Sequence, residues 1–255
     1  MTNALAGRKA LVIGVANDKS IAWGIASALR AAGAELAITY LNPKAEPHVR
    51  PLAEKLDARI VAPLDVARPD DEDALFNKIA TEWDRLDVVV HSIAYAPRDD
   101  LHGRVIDSTA EGFGLAMDVS VHSFARLCRR AEPLMRAGGS CLTVSYYGAE
   151  KVISTYNMMG PVKAALEATA RELASELGPS GVRVNVLSPG AMATRAAGGI
   201  AEFDAMLEAT IERSPMGRLA SIEDVGATAA FLASDGARSI TGETIHVDAG
   251  YHIMG

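Results

Sequence analysis

Residues 10–24 read Ala10-Leu11-Val12-Ile13-Gly14-Val15-Ala16-Asn17-Asp18-Lys19-Ser20-Ile21-Ala22-Trp23-Gly24. The first four form an apolar run of strand length, Gly14 permits a tight turn, and small and polar residues then feed a helix beginning near Ile21. The start of such a helix presents free N–H groups and the positive end of its dipole, a setting suited to an anion such as a pyrophosphate. Ala22 and Gly24 would let helix and strand approach closely. The stretch falls short of a complete G-x-G-x-x-G, so its meaning depends on what surrounds it.

What surrounds it is the same unit, repeated. Apolar runs at Ala10–Ile13, Leu36–Tyr40, Ile60–Pro63, Val88–His91, Cys141–Ser145, Val184–Leu187 and Thr244–Val247 read as strands. Between them, segments of helical period lie near Ile21–Ala31, Pro47–Leu56, Glu72–Trp83, Ala110–Met135, Tyr156–Leu177 and Ile222–Ala233. Ser108 with Glu111, and Ser221 with Asp224, have capping-box spacing at two helix starts. The alternation predicts an α/β fold: a single doubly wound, Rossmann-type domain over residues 1–255, with a seven-stranded parallel sheet and helices on both faces. No repeat or linker breaks it. Gly190–Pro215 is an excursion containing Gly198-Gly199 and the apolar Phe203, Met206 and Leu207, which predicts a mobile covering segment at about 190–215.

Composition narrows the classes of function. The 255 residues are 49% hydrophobic and 22% charged, enough to build a large core. With 25 Lys plus Arg against 32 Asp plus Glu the net charge is −7, and Arg129-Arg130 is the one adjacent arginine pair, which argues against nucleic-acid binding. The longest stretch without a charged residue, Ala137–Ala149, is shorter than the roughly 20 residues of a membrane span. The start of the chain lacks an apolar secretory core. Cys128 and Cys141 show no CxxC spacing and read as reduced core thiols. The histidines His48, His91, His102, His122, His246 and His252 include no i,i+4 pair and no surrounding carboxylates, so no metal site is expected. These features suit a cytoplasmic enzyme.

In an open parallel sheet, ligands bind beyond the carboxyl ends of the strands. The second strand ends Tyr40-Leu41-Asn42-Pro43-Lys44, with neither an acid for a ribose nor an adjacent arginine for a 2′-phosphate, although Lys44 could fold back. Asp65 follows the third strand and Ser92-Ile93-Ala94 the fourth. After the fifth come Ser145-Tyr146-Tyr147, then Tyr156 and Lys163. A spacing of seven residues on a helix is about 700°, close to two full turns, so Tyr156 and Lys163 are expected to share a face. A lysine there should lower the phenol pKa and supply charge where an enolate oxygen forms. Of the neighbours Tyr146 and Tyr147, extended backbone can turn only one into the cleft.

These residues resemble the short-chain dehydrogenase/reductase superfamily and, within it, the NADH-dependent enoyl-acyl-carrier-protein reductases. The likeness runs from Gly7 to Ile253 and is carried by Gly14–Gly24, His91-Ser92-Ile93-Ala94, Ser145-Tyr146, Tyr156–Lys163, Gly181–Asn185, Thr241-Gly242-Glu243 and His246-Val247-Asp248. Most superfamily members carry lysine four residues after the tyrosine. Here that position is Gly160, and the longer spacing resembles the enoyl-reductase branch. The resemblance implies Tyr146, Tyr156 and Lys163 as catalytic residues. It implies Gly14, Ser20, Ile21, Asp65, Val66, Ser92, Ala94, Lys163, Met192 and Thr194 at the cofactor, with NADH preferred over NADPH. Ala96, Tyr146, Tyr156, Met159, Phe203 and Met206 are the implied substrate contacts. The implied partners are an enoyl thioester on acyl carrier protein and three further copies of the chain in a homotetramer, with no nucleic acid or membrane.

The sequence departs from the family's pattern at Leu41, where many relatives have glutamine, at the extra tyrosine Tyr147, and at Pro161 inside the expected helix. A carbonyl reductase of the same superfamily is the competing enzymatic reading, disfavoured by Gly160. A dinucleotide-binding scaffold without turnover is the competing non-enzymatic one, disfavoured by the retention of Tyr146, Tyr156 and Lys163.

Overall fold

In the computed structural model, which describes residues 3–153, 156–192 and 203–255, seven strands pair in parallel. They are β1 (Lys9–Ile13), β2 (Glu35–Tyr40), β3 (Ile60–Pro63), β4 (Val88–His91), β5 (Gly139–Val144), β6 (Val182–Pro189) and β7 (Thr244–Val247), in the order β3-β2-β1-β4-β5-β6-β7. Val12 of β1 pairs with Ile38 of β2 on one side and Val90 of β4 on the other. Alternation along β1 feeds two cores. Leu11 and Ile13 join the cluster containing Phe76, Phe124 and Leu166. Ala10 and Val12 join the cluster on the opposite face, with Ile25, Leu29 and Leu36. A sheet buried on both faces explains why its strands read as nearly unbroken apolar runs.

Strand order reverses between β1 and β4, which opens a crevice at their carboxyl ends. Gly14 forms its floor. Its φ is +109°, and a Cβ added there would lie 2.1 Å from the Ser92 carbonyl oxygen, so only glycine lets the two strand ends meet. Gly24 has a different partner from the one its position suggested: it faces Ile222 of a neighbouring helix rather than the strand.

The helices are α1 (Ile21–Ala31), α2 (Glu46–Lys55), α3 (Pro69–Trp83), α4 (Arg98–His102), α5 (Ala110–Met117), α6 (Ser123–Ala131), α7 (Met159–Leu177), α8 (Phe203–Arg213) and α9 (Ile222–Ala233). The segment expected as one helix over Ala110–Met135 is broken by a π-helical turn at Asp118–His122. The expected capping box holds at α9, where Ser221 and Asp224 exchange bonds with each other's backbone N–H. At α5 it fails. The cap is Thr109, whose hydroxyl accepts from the Gly112 N–H, while Ser108 donates to the Val105 carbonyl. The buried carboxylate of Asp100 accepts the Thr109 N–H at 2.6 Å and moves the helix start by one residue.

Helix α7 also begins later than its periodicity suggested. Asn157, at φ 45°, interrupts the backbone and donates from Nδ2 to the Leu101 carbonyl at 3.0 Å. Tyr156 therefore lies in the turn before the helix. Pro161 becomes the third residue of α7, where a backbone N–H would have no partner within the helix, so it does not break the ladder.

Candidate active site

The carboxyl ends of β1, β3, β4, β5 and β6 carry the predicted site residues in series. Next to β1, α1 has the features an anion needs. The N–H groups of Ile21 and Ala22 have no acceptor within their helix, and no acidic residue occupies the first turn. The Ser20 hydroxyl leaves the helix uncapped and donates instead to the Asn17 carbonyl at 2.5 Å. This donor set fits the pyrophosphate of a dinucleotide.

At the end of β3, Asp65 receives the Ala67 N–H at 3.0 Å, and its own N–H donates to Asp71 at 3.1 Å. Val66 is buried, and Arg126 of α6 donates to its carbonyl at 2.5 Å. Arg126 also pairs with the fully buried Glu72 at 3.0 Å, and Arg130 pairs with the other Glu72 oxygen at 2.9 Å. This ionic network fixes the loop where adenine would lie. Sequence reasoning missed it: α3 and α6 meet only in the fold, and the arginine pair alone gave no direction.

At β2 the Lys44 side chain is exposed, and Leu41 is 56% exposed. Arg50, in α2, stands beside Tyr40 but is ion-paired to Glu46 one turn away. At β4, Ser92 is half-buried and its N–H donates to the Ile13 carbonyl, whereas Ala94 is exposed. Ser120 of the π-helical turn fixes this loop by accepting the Tyr95 N–H at 2.9 Å and donating to the Tyr95 carbonyl at 3.1 Å. His91 is enclosed between the Thr143 and Ser123 hydroxyls at 2.9 and 2.8 Å. Burial, with Lys163 nearby, lowers its pKa to about 3, so its imidazole is neutral.

The three residues expected to be catalytic gather at the end of β5. Tyr146 leaves the strand in extended conformation, and its ring meets that of Tyr156 edge-on, 4.8 Å between centroids. Tyr147 turns the other way. Its hydroxyl donates to the His252 carbonyl at 3.2 Å, and its ring packs on His246 and Tyr251. Gly148 makes room for Tyr156, since a Cβ there would fall 2.4 Å from the phenol ring. Lys163 is buried in α7 and donates from Nζ to the Val144 carbonyl at 2.7 Å.

Electrostatics correct one expectation. The phenol of Tyr156 does not titrate low beside Lys163; burial pushes it far above the ordinary tyrosine value, with Tyr146 and Glu167 adding to the rise. Tyr146 is pushed up to about 12 by burial, with Tyr251 adding. Both phenols are therefore neutral hydroxyl donors at physiological pH. Burial lowers Lys163 to about 8, opposed by Glu167.

The remaining predicted residues divide in two. Met159 is buried in the core cluster that Ala96 and Tyr156 border, and Met192 is buried in the opposite cluster with Val15 and Val144. Thr194 lies outside the described residues, as does the 193–202 part of the covering segment and the side chains of Phe203 and Met206. Cys128 and Cys141 are free and buried, and contact with Cys141 together with burial holds the Cys128 thiol well above its ordinary pKa. Replacing Tyr147 by Phe is expected to leave kcat and KM within about twofold and to cost stability about 1 kcal/mol, the worth of one hydrogen bond. Steady-state kinetics and a thermal melt of the variant check this.

The chain and its fold have counterparts among known proteins. The family model described as Enoyl-(Acyl carrier protein) reductase matches residues 14–252. The NADH enoyl-[acyl-carrier-protein] reductase FabI of Aquifex aeolicus is 49% identical over 252 residues, covering 98% of this chain and 93% of the relative. The enoyl-(acyl-carrier-protein) reductase of Anaplasma phagocytophilum, solved in complex with NAD, superimposes with a TM-score of 0.96 at 46% identity, over 100% of this chain and 97% of that one. The Bacillus cereus enoyl-acyl carrier protein reductase, solved with NADP+ and indole naphthyridinone, gives a TM-score of 0.97 at 45% identity over 100% of both chains. Fold and sequence thus agree along essentially the whole length, and the chain belongs to the enoyl-(acyl carrier protein) reductase family.

Proposed function

We propose that this chain reduces the carbon–carbon double bond of trans-2-enoyl thioesters carried on acyl carrier protein, using NADH, as a step of fatty-acid biosynthesis. The observation that carries the reading is the pair of neutral phenols, Tyr146 against Tyr156, at the end of β5 with buried Lys163 behind them. Ser20, Ile21 and the α1 amides hold the pyrophosphate, with Gly14 giving close access. Asp65, Val66, Ser92 and Ala94 border the adenine and its ribose, Lys163 holds the nicotinamide ribose, and Met192 and Thr194 flank the nicotinamide. The bound reduced nicotinamide supplies a hydride to the β-carbon. Tyr156 donates its hydroxyl to the thioester oxygen, whose negative charge grows as the enolate forms, and the field of Lys163 stabilises that charge. Tyr146 orients the thioester. Ala96, Met159, Phe203 and Met206 line the acyl chain, under the covering segment at about 190–215.

The enzyme acts as one domain and as a homotetramer. Support for the assembly comes from exposed Leu115 on α5 and the exposed small residues Pro161 and Ala168 on α7. Among the described residues no helix is long and apolar enough to cross a membrane, and the free buried thiols suit the reducing cytoplasm. NADH is preferred over NADPH because no arginine directly follows β2 and Arg50 is already paired with Glu46. Oxidation of NADH and of NADPH, measured with crotonyl and longer enoyl thioesters and with ketoacyl thioesters, tests the whole reading. Turnover of enoyl substrates with NADH favoured supports it, whereas turnover of ketoacyl substrates alone, or a preference for NADPH above about tenfold, contradicts it.

A further inference from the structure

Helix α7 grips two consecutive residues at the end of β5. Lys163 donates to the carbonyl of Val144, and one turn further along the helix Glu167 accepts the hydroxyl of Ser145 at 2.5 Å. All three side chains or carbonyl-bearing residues are buried: Ser145 is 3% exposed, Lys163 4% and Glu167 7%. The next residue in the chain is Tyr146. We propose that Glu167 is a positioning residue of the reductase, holding Ser145 so that the strand end presents Tyr146 to Tyr156, and serving as the buried counter-charge that keeps Lys163 protonated.

This rests on the enoyl-reductase reading and extends it to a residue that touches neither cofactor nor substrate. The two residues are buried one helical turn apart; burial raises the Glu167 carboxyl, the Ser145 hydrogen bond opposes that rise, and a carboxylate at Glu167 favours the charged form of Lys163. Around Glu167 stand Lys163 and Arg171 on its own helix, Tyr156 in the preceding turn, Glu150 after β5 and His246 on β7. Lys163 faces Glu167 and the neutral His91. Of the two cations flanking Glu167 on this helix, Arg171 is exposed and Lys163 is buried, so Lys163 is the one whose charge depends on its surroundings. Loss of the Glu167 charge must therefore make Lys163 easier to deprotonate.

The test uses the full chain and its Glu167→Gln and Ser145→Ala variants. NADH binding is followed by fluorescence titration between pH 6 and 10, alongside kcat and KM with an enoyl thioester. Gln at 167 still accepts from Ser145 but carries no charge. Its NADH affinity should equal wild type at pH 6 and begin to fall about one pH unit earlier on the alkaline side. Ser145→Ala keeps the charge and frees the strand end, so kcat should drop about tenfold while the pH dependence of NADH binding stays as in wild type. An alkaline limb unmoved in Glu167→Gln overturns the electrostatic role, and wild-type kcat in Ser145→Ala overturns the positioning role. If Glu167→Gln does not fold, Glu167→Asp must bind NADH with the wild-type alkaline limb, and a displaced limb there is equally fatal. Because NADH binding is read without turnover, failure of wild type to reduce enoyl thioesters would sink the functional reading and the positioning role with it, while the electrostatic role is still decided by the NADH titrations.

Discussion

Tyr156→Phe is expected to lower kcat for enoyl-thioester reduction by about 10²–10³, with KM for NADH nearly unchanged. The size follows from where charge appears. In the ground state the thioester oxygen is a weak acceptor, and as hydride arrives it becomes an enolate oxygen, so a donor aimed at it acts mainly in the transition state. Burial keeps the phenol protonated, so the proton it offers is present throughout the physiological range. Phenylalanine fills the same space beside Gly148 and Tyr146, which separates loss of the donor from loss of packing. Steady-state kinetics of the variant decide the matter, and full activity would remove Tyr156 from the chemistry. Tyr146→Phe should be milder, since an orienting group contributes to both ground and transition states.

The second large effect is expected for Lys163→Ala, which should raise KM for NADH and lower kcat together. Hydrogen bonds from a charged group contribute about 1.5–3 kcal/mol, or roughly 10–150-fold in kcat/KM, before the loss of field at the enolate is added. The sign of the pH dependence follows from the same group. Lys163 has its pKa lowered to about 8, so it is charged below that pH and loses its charge as pH rises through it. Wild-type kcat/KM for NADH should therefore be level below about pH 8 and decline above it, and the decline should vanish in Lys163→Ala. A pH profile of the two proteins measures both effects, and an alkaline limb that survives in the variant would assign the titration to another group.

Much of this was legible in the chain. β1 and β4 stood out because buried parallel strands are short apolar runs bounded by turn residues, α1 because it follows the Gly14 turn, and α9 because Ser221 and Asp224 form a capping box at its start. The opposite orientations of Tyr146 and Tyr147 followed from the alternation of extended backbone. What escaped the sequence was set by partners far along the chain. The start of α7 depends on Asn157 reaching Leu101, and the cap of α5 on Asp100 reaching Thr109. The π-helical turn sits where Ser120 ties down the Tyr95 backbone. The phenol of Tyr156 was expected to titrate low from its spacing to Lys163, but its environment is decided by burial, which no spacing reveals. Glu167 carried no signal as a lone acidic residue in an amphipathic helix, and its role emerges only beside Ser145.

Stabilisation of an enolate by Tyr156 and Lys163 means that the double bond is reduced and the thioester carbonyl survives. It is tested most directly by running the reaction on a trans-2-enoyl thioester with unlabelled NADH in D2O and locating the solvent-derived deuterium by NMR and mass spectrometry. The expected product is a saturated thioester with a single deuterium at the α-carbon, where the enolate collects its proton from solvent. A product that keeps its double bond, or a saturated thioester without deuterium at the α-carbon, would contradict it.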